Sequence, residues 1–324
     1  MKKILMTSLM LCLVVVLTGC TENGHPAQSV SFDMRFSEML YQIDASAFQL
    51  AAFEEPSGIA FIPGRVVIAD SSNNCLFVFD EDGEYIERVG MIGKGPLQFF
   101  SPTSLCYQDG MLYVLDARNN RIQVLDDQLA YVRSYELNPI DSELSYKSIV
   151  IGSDGDIYIA SAYGLKQYAH VYRVDIKTGT QYQIGIDVIG SLAVAENGAL
   201  LFANSYEIRH EQGSTTAKSG NNYLFDIRDN KLHKLAELPY KYATQDFLCH
   251  KENLYALSLG YASLDRFSMD GTYIETLYKF PDVPEGVLQF NCLVYQPEED
   301  YFLVSSATTS SVYCLRSTDI KKEP

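Results

Sequence analysis

Six positions stand at the head of a strand-like segment in successive repeats of the chain: Ser57, Thr103, Lys147, Gly190, Asp246 and Asn291. They are the set whose spacing lets side chains from distant parts of the sequence converge on one point. Converging carboxylate and amide oxygens hold hard divalent cations such as calcium. This set offers one acid, one amide and one lysine, which makes a poor cage for a dication. The residues therefore predict no metal and no cofactor. A hydrolase or lyase with a metal at this convergence, centred on Asp246 and Asn291, is the alternative.

Other motifs point less to chemistry than to structure. Asp70 and Asp116 close strand-like runs just before Ser-Ser-Asn-Asn and Ala-Arg-Asn-Asn, and an Asp so placed ties down its own turn. Gly90-Met-Ile-Gly93-Lys94-Gly95 lacks the spacing of a phosphate-cradling loop, and Pro96 blocks the helix start that such a loop needs. It is expected to be a flexible connection, with Phe99 and Phe100 plugging the space between neighbouring sheets. No Gly-x-Ser-x-Gly occurs, and the five histidines have no HxxxH spacing. No catalytic residue is expected. The least bland set lies in the connections: Arg118, Tyr163, Lys166, Tyr168, Tyr206, Arg209, His210, Tyr240, Lys241, Tyr242 and Tyr261. Cations and tyrosines gathered on one face suit a protein partner or a polar, anionic ligand.

The elements that must position these residues follow from a repeat. Asp70 and Asp116 are 46 positions apart, as are Asn73-Asn74 and Asn119-Asn120, Asp80 and Asp126, and Pro56 and Pro102. A fixed period of this size marks a repeat architecture. Each repeat carries four short strand signals, named a to d, at 58–61, 65–69, 75–79 and 84–89 and again at 104–107, 111–115, 121–125 and 130–135. Asp82-Gly83 and Asp109-Gly110 supply the tight turns between them. Fainter echoes of strand b at 157–159, 200–202, 254–258 and 301–305 bring the count to six. Six four-stranded units of about 45 residues define a six-bladed β-propeller. The sixth repeat has no room for strand d, so an N-terminal stretch, 39–43 or 48–53, should supply it and remove an open edge. The b–c and d–a connections then share one face, and the connection 204–222 is expected as an unusually long loop.

The run Gly90-x-x-Gly93-Lys94-Gly95-Pro96-Leu97-Gln98-Phe99, with Leu112-Tyr113-Val114-Leu115-Asp116-Ala117-Arg118-Asn119-Asn120, resembles an NHL-type repeat. The chain opens Met1-Lys2-Lys3, continues apolar over 4–17 and reaches Leu17-Thr18-Gly19-Cys20. A basic start, an apolar stretch and small residues form a secretory signal, and its ending resembles the bacterial lipobox. Taken together, the chain is similar to the TolB-like propeller lipoproteins of Bacteroidetes. That resemblance implies the fold and an envelope address, with no particular reaction. The expected organisation is a signal peptide at 1–19, lipidated Cys20 and a tether at 20–35, the propeller at 36–318 and a tail at 319–324. Thr21 after the acylated (palmitate-bearing) Cys resembles the pattern for sorting to the outer membrane of Gram-negative bacteria.

The formal net charge of −16 becomes −18 once Lys2 and Lys3 are removed with the signal. So acidic a chain excludes nucleic acid as a partner and leaves the lipid as its hold on the membrane. Five cysteines remain, an odd number without a CxxC, and four sit where aliphatic residues belong in strands. They are expected as buried free thiols. The function expected is that of a monomeric envelope lipoprotein that binds a ligand or partner on its loop face without catalysis. A structural role in an envelope assembly is a further alternative.

Overall fold

In the computed structural model the described residues are 39–43, 53–138, 145–162, 170–186, 188–211, 214–218, 220–239, 241–280 and 290–316. The chain divides into two compact units, Met1–Phe32 and Asp33–Pro324. The first lies outside the described residues, together with the expected signal, Cys20 and most of the tether. The described residues of the second are all-β: six antiparallel sheets of four strands, one carrying an additional hairpin strand, and one two-stranded parallel ladder. Among the described residues the only helical element is one 3-10 turn, Ala117–Asn119.

Blade 1 is built from Pro56–Ile62, Arg65–Asp70, Cys75–Phe79 and Tyr85–Val89. Blade 2 repeats it with Pro102–Gln108, Met111–Asp116, Arg121–Asp126 and Tyr131–Glu136. The innermost strand a of each blade touches strand a of the next, and that of blade 6 touches blade 1, which closes the ring. Strand order follows sequence order in blades 1 to 5. Blade 6 departs from it. Its strands a to c are Phe290–Gln296, Tyr301–Ser306 and Ser311–Arg316, and the fourth place is filled by Met39–Ile43. Tyr41 lies opposite Cys314 and Ile43 opposite Val312. The first of the two expected N-terminal stretches is thus the closing strand.

The core follows from this geometry. A four-stranded blade is too thin to bury both faces alone, so apolar side chains pool between blades. Six clusters result, one per interface. Ile68, Phe77 and Phe79 of blade 1 meet Leu303, Val312 and Cys314 of blade 6, with Phe53 edge-on to Phe77 at 5.3 Å between centroids. Ala69, Leu76 and Val78 meet Leu112, Val114 and Leu125 across the next interface. Strands b and c are therefore buried nearly throughout, whereas strand d of blade 1 is exposed at four of five positions. Truncating Ile68, Leu76, Leu112, Leu125 or Leu303 of these clusters to Ala costs about 2–5 kcal/mol.

One element differs from expectation. Residues 204–222 are not a loop. Strand b of blade 4 runs on through Leu200–Glu211 and returns as Ser214–Lys218, which pairs from Glu207 opposite Lys218 to Glu211 opposite Ser214. The hairpin gives this long connection backbone partners it would otherwise lack, and the Thr215-Thr216 pair suits a strand.

Candidate functional site: the loop face and its axial pocket

The repeated aspartates come first because they fix the loop face. Asp70 is fully buried and accepts from the amides of Glu54 (2.8 Å), Glu55 (3.2 Å) and Asn73 (2.9 Å) and from Asn73 Nδ2 (3.0 Å). Asp116, equally buried, accepts from the Phe100 amide (2.6 Å), Asn119 Nδ2 (2.8 Å) and Arg121 Nε (2.8 Å). Each carboxylate thus holds its own turn, as the sequence led one to expect. It also grips the connection 16 residues upstream, and this second role explains why the Asp recurs with the repeat.

The six positions at the heads of strands a do converge, and most are occupied with one another's blades. Ser57 Oγ donates to Pro102 O (2.8 Å), Thr103 Oγ1 to Tyr146 O (2.8 Å) and Asn291 Nδ2 to Pro56 O (2.9 Å). Lys147 Nζ donates to Gln245 O (2.8 Å), passing from blade 3 to blade 5; at Gly190 of blade 4 a side chain would overlap the Ala203 carbonyl oxygen. Asp246 accepts from Ser191 Oγ of blade 4 and from the Leu293 amide (2.7 Å) of blade 6. The ring is a set of inter-blade staples. Burial pushes the Asp246 carboxyl above its ordinary value, with the hydrogen bonds and Lys147 opposing. Burial likewise pulls Lys147 below its own, and Asp246 opposes.

Over the staples lies a cavity of about 110 Å³ lined by Glu55, Ser57, Ser71, Thr103, Tyr146, Lys147 and Asn291. Gly190 and Asp246 do not line it. For a calcium-type metal the donor set does not fit. The one axial carboxylate of the ring already accepts two hydrogen bonds and does not line the pocket, whereas Lys147 does. Among the described residues no group of three His, Cys, Asp or Glu is placed to hold a metal.

The other predicted residues divide. Arg118 is exposed on blade 2, its guanidinium 5.4 Å from the centroid of the Phe100 ring. Lys241 is exposed and Tyr261 half-buried at the start and middle of blade 5, half a turn of the ring away. Tyr206, half-buried on blade 4, has its hydroxyl pushed up by burial and held back by Gln245. Arg209 lies on the extended strand b of blade 4. Tyr163, Lys166 and Tyr240 lie outside the described residues. Among the described residues, Arg118 on blade 2 and Lys241 on blade 5 do not form one cluster.

Two expectations are corrected. Tyr242 is not a surface anchor: it is 1 % exposed, and its hydroxyl donates to Asp265 Oδ2 (2.7 Å), with Ala256 O a second acceptor in reach of the same proton (2.9 Å). Phe100 does not plug the blade interface. Phe99 does, fully buried, while Phe100 is 36 % exposed beneath Arg118. The five cysteines are free. Burial raises Cys75 and Cys249 to about 12 and Cys106 to about 11, so none is a ready thiolate.

Two further features lie apart from the predicted loop-face set; His250, at the end of a strand a, is expected from the sequence as a satisfied structural residue rather than a base. His250 Nδ1 lies 2.9 Å from Glu196 Oε1 on the opposite face, its ring 4.5 Å from that of Tyr295 and its Nε2 buried without a hydrogen bond. On that same face a groove of about 530 Å³ between blades 3 and 4 is lined by Asp154, Tyr158, Arg173, Asn197, Asp226 and Arg228, among others. The pairs Arg173–Asp156 (2.5 Å) and Arg228–Asp226 (2.6 Å) use its arginines. Nothing local in the sequence marks either feature.

Fold and axial ring together define a six-bladed β-propeller. The family model described as 6-bladed beta-propeller (DUF5128) matches residues 49–147, the first two blades. No curated protein matches the chain. Similar solved structures include the calcium-binding protein regucalcin from Agrobacterium tumefaciens (13 % identity, TM-score 0.62, 87 % of this chain and 95 % of that one). A luciferin-regenerating enzyme (12 %, 0.61, 87 % and 96 %) and virginiamycin B lyase from Staphylococcus aureus (13 %, 0.55, 86 % and 98 %) are also similar. At these identities the likeness concerns the fold.

Proposed function

We propose that this chain is a cell-envelope lipoprotein, anchored through Cys20 in the outer membrane of a Gram-negative bacterium. Its propeller binds a partner or polar ligand on the b–c and d–a face and catalyses no reaction. One observation carries the reading. The side chains at the heads of the inner strands, where a reacting group would have to sit, donate to backbone carbonyls of neighbouring blades or accept from neighbouring amides and hydroxyls. Each of Ser57, Thr103, Lys147, Asp246 and Asn291 thus makes at least one hydrogen bond to another blade.

The second reading is a hydrolase or lyase acting at the axial pocket. It draws support from the fold likeness to virginiamycin B lyase and from Lys147, whose lowered affinity for its proton is a property of lysines used as bases.

The test has two arms on the full-length chain. Covalent footprinting in native membrane vesicles and after purification should show protection at Arg118, Lys241 and Tyr261 in the vesicles. Tyr182 and Arg228, on the outer and opposite surfaces, should stay equally reactive. Ester, lactone and cyclic depsipeptide panels, with calcium, magnesium, manganese or zinc added, should show no turnover. Turnover that Asp246→Ala/Asn291→Ala removes would overturn the binding reading.

A further inference from the structure

The connection at residues 90–102, between strand d of blade 1 and strand a of blade 2, is built with unusual care for a surface segment. Met91–Ile92 pairs in parallel with Gln98–Phe99, and the Gly93 amide donates to Phe99 O (3.1 Å). Beneath this short ladder lies Arg121, 8 % exposed. Its Nε donates to Asp116, its Nη1 to Lys94 O (2.6 Å) and its Nη2 to Gly95 O (3.0 Å) and Gln98 O (2.7 Å). Gln123 Nε2 donates to Gln98 O (2.7 Å) and its Oε1 accepts from the Leu97 amide (3.1 Å). Asn119 Nδ2 donates to Gly93 O (2.7 Å). Gly90, at φ +89°, leaves room for the buried Phe99 ring, which any Cβ there would strike. Charge-assisted bonds of this kind are among the stronger ones available. They fix the backbone of a loop that puts Phe99 into the blade interface, with Leu97 half-buried against the same cluster.

What this scaffold holds up is apolar and solvent-facing. Ile92 at 64 % and Met91 at 60 % are the most exposed large apolar side chains among the described residues. Successive residues of a strand point to opposite sides, so both being exposed means that the ladder stands clear of the blade. Its outer edge pairs with no described strand. Phe100 lies in the same connection under the Arg118 guanidinium, and Lys94, also in this connection, is exposed. Thus a chain of net charge −16 sets two cations against three exposed apolar side chains and a free strand edge.

We infer that residues 90–102 form a docking flap for an extended, acidic segment of a partner protein bearing aliphatic side chains, which adds as a strand along Met91–Ile92. The inference rests on the binding reading above and names the class of its partner. The free edge supplies backbone hydrogen bonds. Met91, Ile92 and Phe100 grip the aliphatic side chains. Lys94 and Arg118 select acidic residues against the negative field of the rest of the molecule. That same field opposes a second copy of the chain as occupant, and it opposes an anionic bilayer.

The experiment is fluorescence anisotropy on the full-length chain in detergent, with labelled octapeptides of alternating Val and Glu, of alternating Val and Lys, and of Val and Glu with alternate amides N-methylated. The Val–Glu peptide is expected to bind saturably and the other two not. Met91→Ser/Ile92→Ser and Lys94→Ser/Arg118→Ser should each weaken binding at least tenfold while leaving the melting temperature unchanged, since all four side chains are exposed. Arg121→Met should weaken binding equally with the contact residues intact and should speed amide exchange across 90–102. No binding of the Val–Glu peptide overturns the inference, as does equal binding of the Val–Lys or N-methylated peptide. Unchanged affinity in the exposed-residue variants overturns the flap while leaving the footprint across the rest of the face to decide the binding reading. Dimerisation of the chain, or adhesion to phosphatidylglycerol vesicles, that Met91→Ser/Ile92→Ser abolishes would assign the flap to those occupants instead.

Discussion

Lys147 of blade 3 donates its ammonium proton to the carbonyl oxygen of Gln245 in blade 5, 2.8 Å away, and so bridges past blade 4. The residue after Gln245 is Asp246, whose carboxylate draws donors from blades 4 and 6. Four blades are thereby tied at the axis by two side chains of opposite charge. Removing one charge leaves the other desolvated and unbalanced, whereas removing both spares that cost.

A double-mutant cycle should show this coupling. Lys147→Met and Asp246→Asn are each expected to destabilise, and the pair should cost about 1–2 kcal/mol less than their sum. The pH dependence has a definite sign. Burial raises the Asp246 value, so the folded state holds that proton more tightly than the unfolded chain. The unfolded chain ionises first, and stability is lost as pH climbs from the ordinary carboxylate value through the folded one. In Lys147→Met the folded value rises further, so this variant should lose more stability than the parent as pH climbs above the ordinary carboxylate value. Urea midpoints across that range check the prediction, and parallel curves would contradict it.

Tyr242 should act on stability rather than on binding. Its hydroxyl serves Asp265, a carboxylate raised by burial and held back by Ser263, Thr276 and Tyr242 itself. Tyr242→Phe removes one of three donors and should cost about 1–3 kcal/mol. Tyr261→Ala, at a half-buried ring 6.0 Å from that of Tyr242, loses packing but leaves no buried carboxylate short of a donor. The measurement is denaturant unfolding at neutral pH, and a Tyr242→Phe variant as stable as the parent would remove the residue from the core network.

The fold was legible because its signals are local and repeat. The 46-residue step shared by Asp70 and Asp116 reflects a hydrogen bond to an amide 16 residues upstream that recurs from blade to blade. The closing strand was legible by counting, although the choice between 39–43 and 48–53 needed the register opposite Val312 and Cys314. The site was less legible. Tyr242 looks like a loop tyrosine, but it is flanked by Lys241 at φ 59° and Ala243 at φ 51°, left-handed residues that bracket its turn into the core. Arg121 looks like the first residue of a strand, and besides Asp116 its acceptors lie 23 to 27 positions earlier. Neither direction nor distance of this kind is written in residue type or period.

The membrane attachment proposed for Cys20 has a direct test. Cys20→Ala should move the chain from the membrane fraction to the soluble fraction after a salt wash. Among the described residues no helix is long and apolar enough to cross a membrane, and an acidic body is repelled by anionic headgroups. Metabolic labelling with a fatty-acid analogue should mark the parent and not the variant. Retention of unlabelled Cys20→Ala in washed membranes would refute the anchor.

Closure of the ring is open to a similarly sharp trial. Met39–Ile43 supplies the fourth strand of blade 6, and without it Ser311–Arg316 becomes an edge with unpaired amides and carbonyls. Deleting residues 39–43 alone leaves Phe53 in place against Phe77, so the effect of the strand is separated from that of the core. An exposed strand edge recruits other chains, and the join between the two chain ends is lost at the same time. The variant is therefore expected to melt at least several degrees lower and to aggregate as concentration rises. Calorimetry and light scattering together decide the matter. A deletion variant that stays monomeric and melts with the parent would show that the ring does not depend on its N-terminal strand.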